Sequence, residues 1–408
     1  MLLAWNFISR HTFASLFNIH LLHSIHEARL TMTLATTIID QNTIRRRGTG
    51  LKAYNPGKTF HGYTLFTPLT GKGEVYLINL EGDIVHKWEL PYPPGLYGYL
   101  LPNGNLFYNG KTPENPPRFP KWSLFKGGVV LEVDPQGNIL WEYKHPDHHH
   151  DARRLRNGNT IILAIEKVPQ SLVPQIKGGV PNTEVDGKDI YADVIYEVTP
   201  QGEIVWTWHA YEHLDQETDI ITAQDERHEW SHGNTVGELA DGNIVLSFRN
   251  ISTVVIVNRN TGEIIWKLGH DVLAQQHFPN ELPNGNLLIF DNGAHRHNTA
   301  LNFSRVIEVN RQTKEIVWEY VDNPPHNFFS AYISGAQRLS NGNTLITEGA
   351  YGRIFEVTTD GEIVWEFVNP YFGNQNAPGE SAFVARGEQN SVFRAFRYAP
   401  EQIPWLES

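Results

Sequence analysis

VVLEVDPQGNILWEY, from Val129 to Tyr143, reads as an alternating strand, a tight turn and a second strand that closes on a tryptophan. It is not alone. The same module recurs as VIYEVTPQGEIVWTW (Val194–Trp208), VVIVNRNTGEIIWKL (Val254–Leu268), VIEVNRQTKEIVWEY (Val306–Tyr320) and IFEVTTDGEIVWEF (Ile354–Phe367). A looser first copy, VYLINLEGDIVHKW (Val75–Trp88), brings the count to six. Repetition at this spacing governs the architecture before any local reading does.

A second module alternates with the first: LLPNGNLFY (Leu100–Tyr108), RLRNGNTIIL (Arg154–Leu163), ELADGNIVLSF (Glu238–Phe248), ELPNGNLLIF (Glu281–Phe290) and RLSNGNTLIT (Arg338–Thr347). Asn-Gly or Asp-Gly between alternating apolar runs marks a hairpin, in its two-residue form with both central residues at positive φ. The two modules make units of four antiparallel strands, A–B around Asn-Gly and C–D ending in Trp, and such units are propeller blades. The sequence predicts an all-β, six-bladed propeller. Only five A–B modules are present. A lone B strand, GYTLF (Gly62–Phe66), opens the series and NSVFRAFRY (Asn390–Tyr398) ends it, so the last strand is expected to pair with the first and close the ring. Closure removes free sheet edges, which otherwise invite aggregation. The expected organisation is a partly disordered leader over 1–58, a propeller over 59–400 and a tail over 401–408.

Composition narrows the chemistry. Within 408 residues, 11 Trp, 16 Tyr and 20 Phe provide for a large core. A formal net charge of −12 argues against nucleic acid or an anionic membrane as partner, because both would be repelled. Cysteine is absent, which excludes disulfides, thiolate nucleophiles and Cys-ligated metals. The first segment, MLLAWNFISRHTFASLFNIHLLHSIHEARLT, is interrupted by Arg10, His11 and His20 and lacks the pattern of a secretory signal or a membrane span. It reads as a disordered leader or, preferably, as sequence upstream of a start at Met32. A cytoplasmic location is favoured, with export left open.

Loop lengths orient the propeller. The long connections, Gly110–Gly128, Lys167–Asp193, Asp291–Ser304, His209–Ser231, Val321–Ile333 and Val368–Phe383, are all B–C or D–A segments, which leave an antiparallel blade at one end. Functional groups concentrate on such loops. Five residues before the Leu of each Asn-Gly turn, the inner strands place Leu96, His150, Asn234, His277 and Ser334 at that end, with His149 and His232 just before them and Glu166, Arg249, Asp291 and Glu348 at the ends of the B strands. Polar residues from several strands converging in one repeat frame point to a shared site.

At these residues the chain resembles the arylsulfate sulfotransferases. The likeness is carried by HHDARRLRNGNT (His149–Thr160), EWSHGNTV with IVLSFRN (Glu229–Asn250), TGEIIWKLG (Thr261–Gly269), QQHFPNELPNGNLLIFDNG (Gln275–Gly293) and SRVIEVN (Ser304–Asn310), and covers the propeller from Gly62 to Tyr398. The resemblance implies transfer of a sulfuryl group from an aryl sulfate to a phenol, with no nucleotide sulfate donor and no cofactor, through a sulfated histidine. It implies His277 as that nucleophile, His232, Asn234 and Arg249 as the sulfate-binding set, His150 as the histidine of the second substrate, and Ser334 as the nearest match to a hydroxyl residue of the family. Tyr97, Trp230 and Phe278 are expected to sandwich the aryl ring. Neutral imidazole suits such a nucleophile near pH 7, and a guanidinium matches the anionic oxygens. The family's periplasmic members carry a separate N-terminal domain and signal peptide, so neither dimerisation nor export carries over.

Two other readings compete. Imidazoles also suit copper, zinc or iron, so a His-ligated metal enzyme is one alternative, with His295, His297 and His326 as a further candidate cluster. A non-catalytic propeller that presents its loop-rich face to a ligand or protein is the other. Asp151 is expected to orient His150 or to cap a loop, and Trp141, Trp206, Trp266, Trp318 and Trp365 to fill the core between blades.

Overall fold

A computed structural model describes residues 48–113, 117–297, 299–373 and 388–406. The leader up to Arg47, with its basic run Arg45–Arg47, lies outside the described residues. From Gly48 onward the chain forms a six-bladed propeller of four-stranded antiparallel sheets.

Blade 1 takes its A strand from the C-terminus: Val392–Tyr398 pairs with Tyr63–Pro68, followed by Glu74–Ile78 and Ile84–Glu89. The pairing runs antiparallel with Tyr63 opposite Tyr398 and Thr64 opposite Arg397. In blades 2 to 6 the A strands are Pro94–Leu100, His148–Arg154, Gly233–Glu238, His277–Glu281 and Gly335–Arg338. Blade 6 carries a fifth strand, because Gly50–Tyr54 pairs with its D strand Ile363–Val368. Part of the stretch expected as leader thus belongs to the propeller sheet. The tail is also docked: Ile403 is buried and Trp405 Nε1 donates to Gly104 O at 3.0 Å.

Tryptophans tie blade to blade. Trp88, Trp141, Trp208, Trp266, Trp318 and Trp365 donate Nε1–H to Asp134, Pro200, Gly262, Arg311, Thr359 and Leu80 carbonyls respectively, at 2.8–2.9 Å. Each acceptor lies in the C–D turn of the next blade, and the last bond runs from blade 6 to blade 1. Blade 3 uses Trp208, not Trp206. Its ring is buried whereas Trp206 is only half-buried, because side chains two apart share a face but differ in depth along the strand.

The Asn-Gly turns differ from the two-residue form. Leu101 N–H bonds Asn105 O and Gly104 N–H bonds Leu101 O, which leaves three residues in the loop. Gly104 has φ +82° while Asn103 is not in the left-handed region. This is a type I turn followed by a left-handed glycine, a geometry that accepts Pro102 at its second position. The asparagines serve a different purpose. Asn103 and Asn105 donate to Glu132 Oε1, Asn157 and Asn159 to Glu197 Oε1, and Asn284 and Asn286 to Glu308 Oε1. Each turn is thereby clasped to the C strand of its own blade.

Candidate functional site

The inner strands lose regular pairing where they reach the loop-rich end. In blade 3, His148 and Ala152 face Ala164 and Ile162, so the inner strand advances four residues while its partner advances two. Bulges also fall between Gly233 and Thr235 and between His277 and Asn280. Left-handed backbone accompanies them: His150 at φ 50°, His232 at 49°, Phe278 at 50° and Ser334 at 93°. Bulges re-aim side chains, and non-glycine residues in this region cost on the order of 1 kcal/mol each and cluster at functional sites. The pairings Thr160 with Arg154 and Thr64 with Arg397 put Phe393 of blade 1 in the same frame as His150.

His277 is buried, and Asn292 decides its tautomer. Asn292 Nδ2 donates to two carbonyls, Ser330 O at 2.8 Å and Ile333 O at 2.9 Å, so its Oδ1 must face His277 Nδ1, 2.8 Å away. Gln275 O lies 3.2 Å from the same nitrogen. Two acceptors at Nδ1 place the hydrogen there and leave Nε2 with its lone pair. Burial, then the charges of Arg249, Arg394 and His232, hold this imidazole neutral well below the usual range, against the opposing Asn292 bond.

His232 Nδ1 is 2.7 Å from Glu229 Oε2. Burial alone would raise the Glu229 carboxyl, but His232 and His228 outweigh it and hold it below the usual carboxylate range. An ionised Glu229 gives His232 Nδ1–H an acceptor. His150 rings lie 4.8 Å from His232 and 4.7 Å from Phe125, the latter stacked at 28°. His150 is held neutral by burial, then by His232, His149, His277 and Arg394. Phe393 stands 6.1 Å from both His150 and His277.

The remaining expected residues divide. Arg249 donates to Asp225 Oδ1 and to Gln275 Oε1, both at 3.0 Å, so the residue that faces His277 through its carbonyl also holds the guanidinium through its side chain. Asn234 is buried, its Nδ2 donating to Gln276 O at 2.8 Å and its Oδ1 accepting from Thr235. Ser334 donates to Ser330 Oγ and accepts from Gly349 N–H, each at 2.9 Å, so both roles of its hydroxyl are occupied by the chain. Trp230 lies in the core, donating to Asp219 O. Tyr97 and Phe278 lie one position further along their strands and pack on Arg394, whose guanidinium sits 4.9 Å and 4.3 Å from their ring centres. The aromatic surfaces beside the histidines are Phe125, from the short helix Trp122–Phe125, and Phe393.

Beneath them lies a buried ion pair. Arg394 Nη1 is 3.0 Å from Asp151 Oδ2 and 3.2 Å from Tyr97 Oη, while Nη2 donates to Asn234 O and Thr235 Oγ1 at 2.7 Å. Asp151 therefore neither orients His150 nor caps a loop. Glu166 pairs with His209, Asp291 with Arg296 and Arg305, and Glu348 with Arg353. Among the described residues, no group of three or more His, Asp and Glu side chains is arranged to share a metal ion, and His295, His297 and His326 form no such set. No helix among the described residues is long and apolar enough to cross a membrane.

Three of these histidines make stability pH-dependent. His148, pushed down to about 3 by burial and then by His149 and His145, joins His150 and His277 in staying neutral when folded. The unfolded chain protonates them below about pH 6.5 and then binds more protons, so stability falls with pH at about 1.4 kcal/mol per unit for each. The urea midpoint is expected to drop steadily from pH 6.5 to pH 5 and to gain nothing from these groups above pH 7. A flat midpoint from pH 7 to pH 5 would contradict this burial.

The arylsulfotransferase (ASST) family model matches residues 125–370, which is 246 of the 408 residues. The chain belongs to the arylsulfotransferase family. The match runs from Phe125 through blade 6 and takes in His150, His232, Asn234, Arg249 and His277. Membership carries aryl-sulfotransferase-type function in its broad sense, on small-molecule substrates. No curated protein matches this chain in sequence. Among solved structures, a protein of unknown function from Bacteroides caccae is similar at 14% identity and TM-score 0.51, over 83% of this chain and 99% of its own. A streptogramin B lyase is similar at 14% identity and TM-score 0.44, over 86% and 93% of the two chains. At these identities the likeness is one of fold alone.

Proposed function

We propose that the protein moves a sulfuryl group from an aryl sulfate to a phenol through a sulfated His277. The reading rests above all on the His277 tautomer, which leaves Nε2 as a neutral nucleophile in an aromatic-lined, histidine-rich site. In the first half, His277 Nε2 attacks sulfur, the N–S bond forms and the S–O bond to the phenol breaks. His232, as an imidazolium backed by Glu229, gives the departing phenolate its proton. Arg249 meets the charge on the sulfuryl oxygens, and the second Nδ2 hydrogen of Asn234 adds a neutral donor, so the transition state finds prearranged dipoles. In the second half, the acceptor phenol attacks the sulfated nitrogen's sulfur with His150 as its base.

The experiment is turnover of p-nitrophenyl sulfate with and without an added phenol. Without acceptor, a burst of nitrophenolate up to one equivalent per chain is expected, and with phenol, steady release. A metal-ligated enzyme would lose activity on chelation and regain it with added metal, an outcome that overturns the proposal. No release from any aryl sulfate by folded protein would favour a binding propeller.

A further inference from the structure

Two histidines adjacent in sequence meet at their Nδ1 atoms, and one of them lies against a carboxylate. His149 Nδ1 lies 2.7 Å from His150 Nδ1. His149 Nε2 lies 3.0 Å from Asp193 Oδ1, in a contact bent from the ring N–H direction. All three residues are at most 4% exposed, so no bulk water competes for these atoms. Asp193 is itself fixed: Gly233 N–H donates to its Oδ2 at 2.7 Å, and its own N–H donates to Ser231 Oγ at 3.0 Å. Glycine is required at 233 because a Cβ there would lie 2.6 Å from Asp193 Oδ1. Ser231 and Gly233 flank His232, so Asp193 of blade 3, through its backbone N–H and its carboxylate, also braces the site strand of blade 4.

Proton bookkeeping follows from these contacts. The Asp193 carboxylate 3.0 Å from His149 Nε2 attracts the ring hydrogen to that nitrogen by charge, which leaves Nδ1 as the acceptor toward His150. A contact of 2.7 Å between two ring nitrogens needs one hydrogen, so it sits on His150 Nδ1. Neutral His150 is left with its lone pair on Nε2. Stacking on Phe125 restrains this ring from flipping, and the charged or titratable groups that bear on it are His149, His232, His277 and Arg394.

We propose that His149 and Asp193 are positioning residues that hold His150 as the base for the acceptor phenol and take over the charge it gains. The inference rests on the sulfuryl-transfer reading above. As the phenol oxygen bonds to sulfur and the N–S bond to His277 breaks, the phenol proton passes to His150 Nε2. The Nδ1 proton of His150 passes to His149 Nδ1, and the resulting imidazolium is paired with Asp193. His277 recovers its lone pair and is neutral again. Without Asp193 the same charge would be buried and unpaired, which is costly.

Acceptors of graded acidity separate this role from a structural one. With p-nitrophenyl sulfate as donor, Asp193→Asn is expected to slow transfer to a phenol of pKa about 10 by roughly 10–100-fold, the usual effect of removing a group that orients a functional histidine. Transfer to a phenol already ionised at the assay pH needs no base and should fall far less, as should the donor-side burst. Equal losses with both acceptors, or no loss with either, overturn the proposal. Nitrogen NMR of the unmodified protein gives a second reading that needs neither turnover nor a variant. It should find His150 protonated at Nδ1 with Nε2 bare, and the opposite tautomer refutes the relay. Unmodified protein that releases no nitrophenolate sinks the sulfuryl-transfer reading, while the tautomer still decides the relay.

Discussion

Replacing His277 by alanine is expected to cut nitrophenolate release by about a thousandfold or more, the scale on which enzymes lose rate when a covalent nucleophile is removed. The stoichiometric burst should vanish with it. Nothing in the fold depends on this ring as strongly as the chemistry does, because its polar contacts are to Asn292 Oδ1 and Gln275 O, and Asn292 keeps its bonds to Ser330 O and Ile333 O without it. The His277→Ala chain should still fold, with its urea midpoint lowered by the cavity and by an Asn292 Oδ1 left without a donor, a cost of about 1–3 kcal/mol. Robust release by that variant would remove His277 from the reaction and, with it, the sulfated intermediate. The measurement is a stopped assay of nitrophenolate at saturating donor, with and without phenol.

The second large effect concerns stability. Arg394 reaches from the C-terminal strand of blade 1 to Tyr97 of blade 2, Asp151 of blade 3 and the Asn234–Thr235 pair of blade 4. Both charges are at most 1% exposed on their side chains. Arg394→Met removes the nearer of the two guanidiniums that face buried Asp151 and leaves Arg153 Nε at 3.5 Å from its Oδ1; breaking one partner of a buried pair costs up to about 3–5 kcal/mol. The double change Arg394→Met with Asp151→Leu removes the under-paired carboxylate as well and should recover part of the loss. Urea unfolding of the two single variants and the double variant checks this. Single and double variants unfolding at the unmodified midpoint would show that the pair carries no such role. Because Arg394 Nη2 bonds the Asn234 carbonyl, the single variant should also lose turnover, through displacement of the amide beside the histidines.

Much of the architecture was legible in the chain because propeller physics is local and repeated. Each blade buries its faces against its neighbours, so the copies keep the same alternation, five of the six share the Asn-Gly or Asp-Gly turn, and each D strand carries a tryptophan. The lone B strand at Gly62–Phe66 pointed to the C-terminal strand, which pairs with it. Where the reading slipped, a neighbour in space outweighed a neighbour in sequence. Trp208 rather than Trp206 reaches the next blade, and the Asn side chains clasp a glutamate on the C strand, which a single hairpin does not reveal. Gly50–Tyr54 lies outside the repeat and carries no turn signal, so its pairing with blade 6 left no trace in the pattern.

The site divides along the same line. Repeat phase alone brought His150, Asn234, His277 and Ser334 to one end of the axis, since a strand's period of two and a constant turn fix the height of each residue. It was blind to Phe393, whose blade has no Asn-Gly turn to count from, and to Arg394 beside it. It also misjudged the aromatic partners: Trp230 and Tyr97 are committed to the core and the axial network, while Phe125 and Phe393 stand against the histidines.

What the sequence by itself determined is the set of imidazoles, amide and guanidinium, and the height at which they meet, because these follow from periodicity along each strand. What only the tertiary structure decided is which nitrogen of each imidazole carries the hydrogen. That choice depends on Asn292, Glu229 and Asp193, residues whose roles are set by contacts at angstrom range from separate segments. No spacing along a chain encodes the direction in which a carboxamide or carboxylate oxygen points.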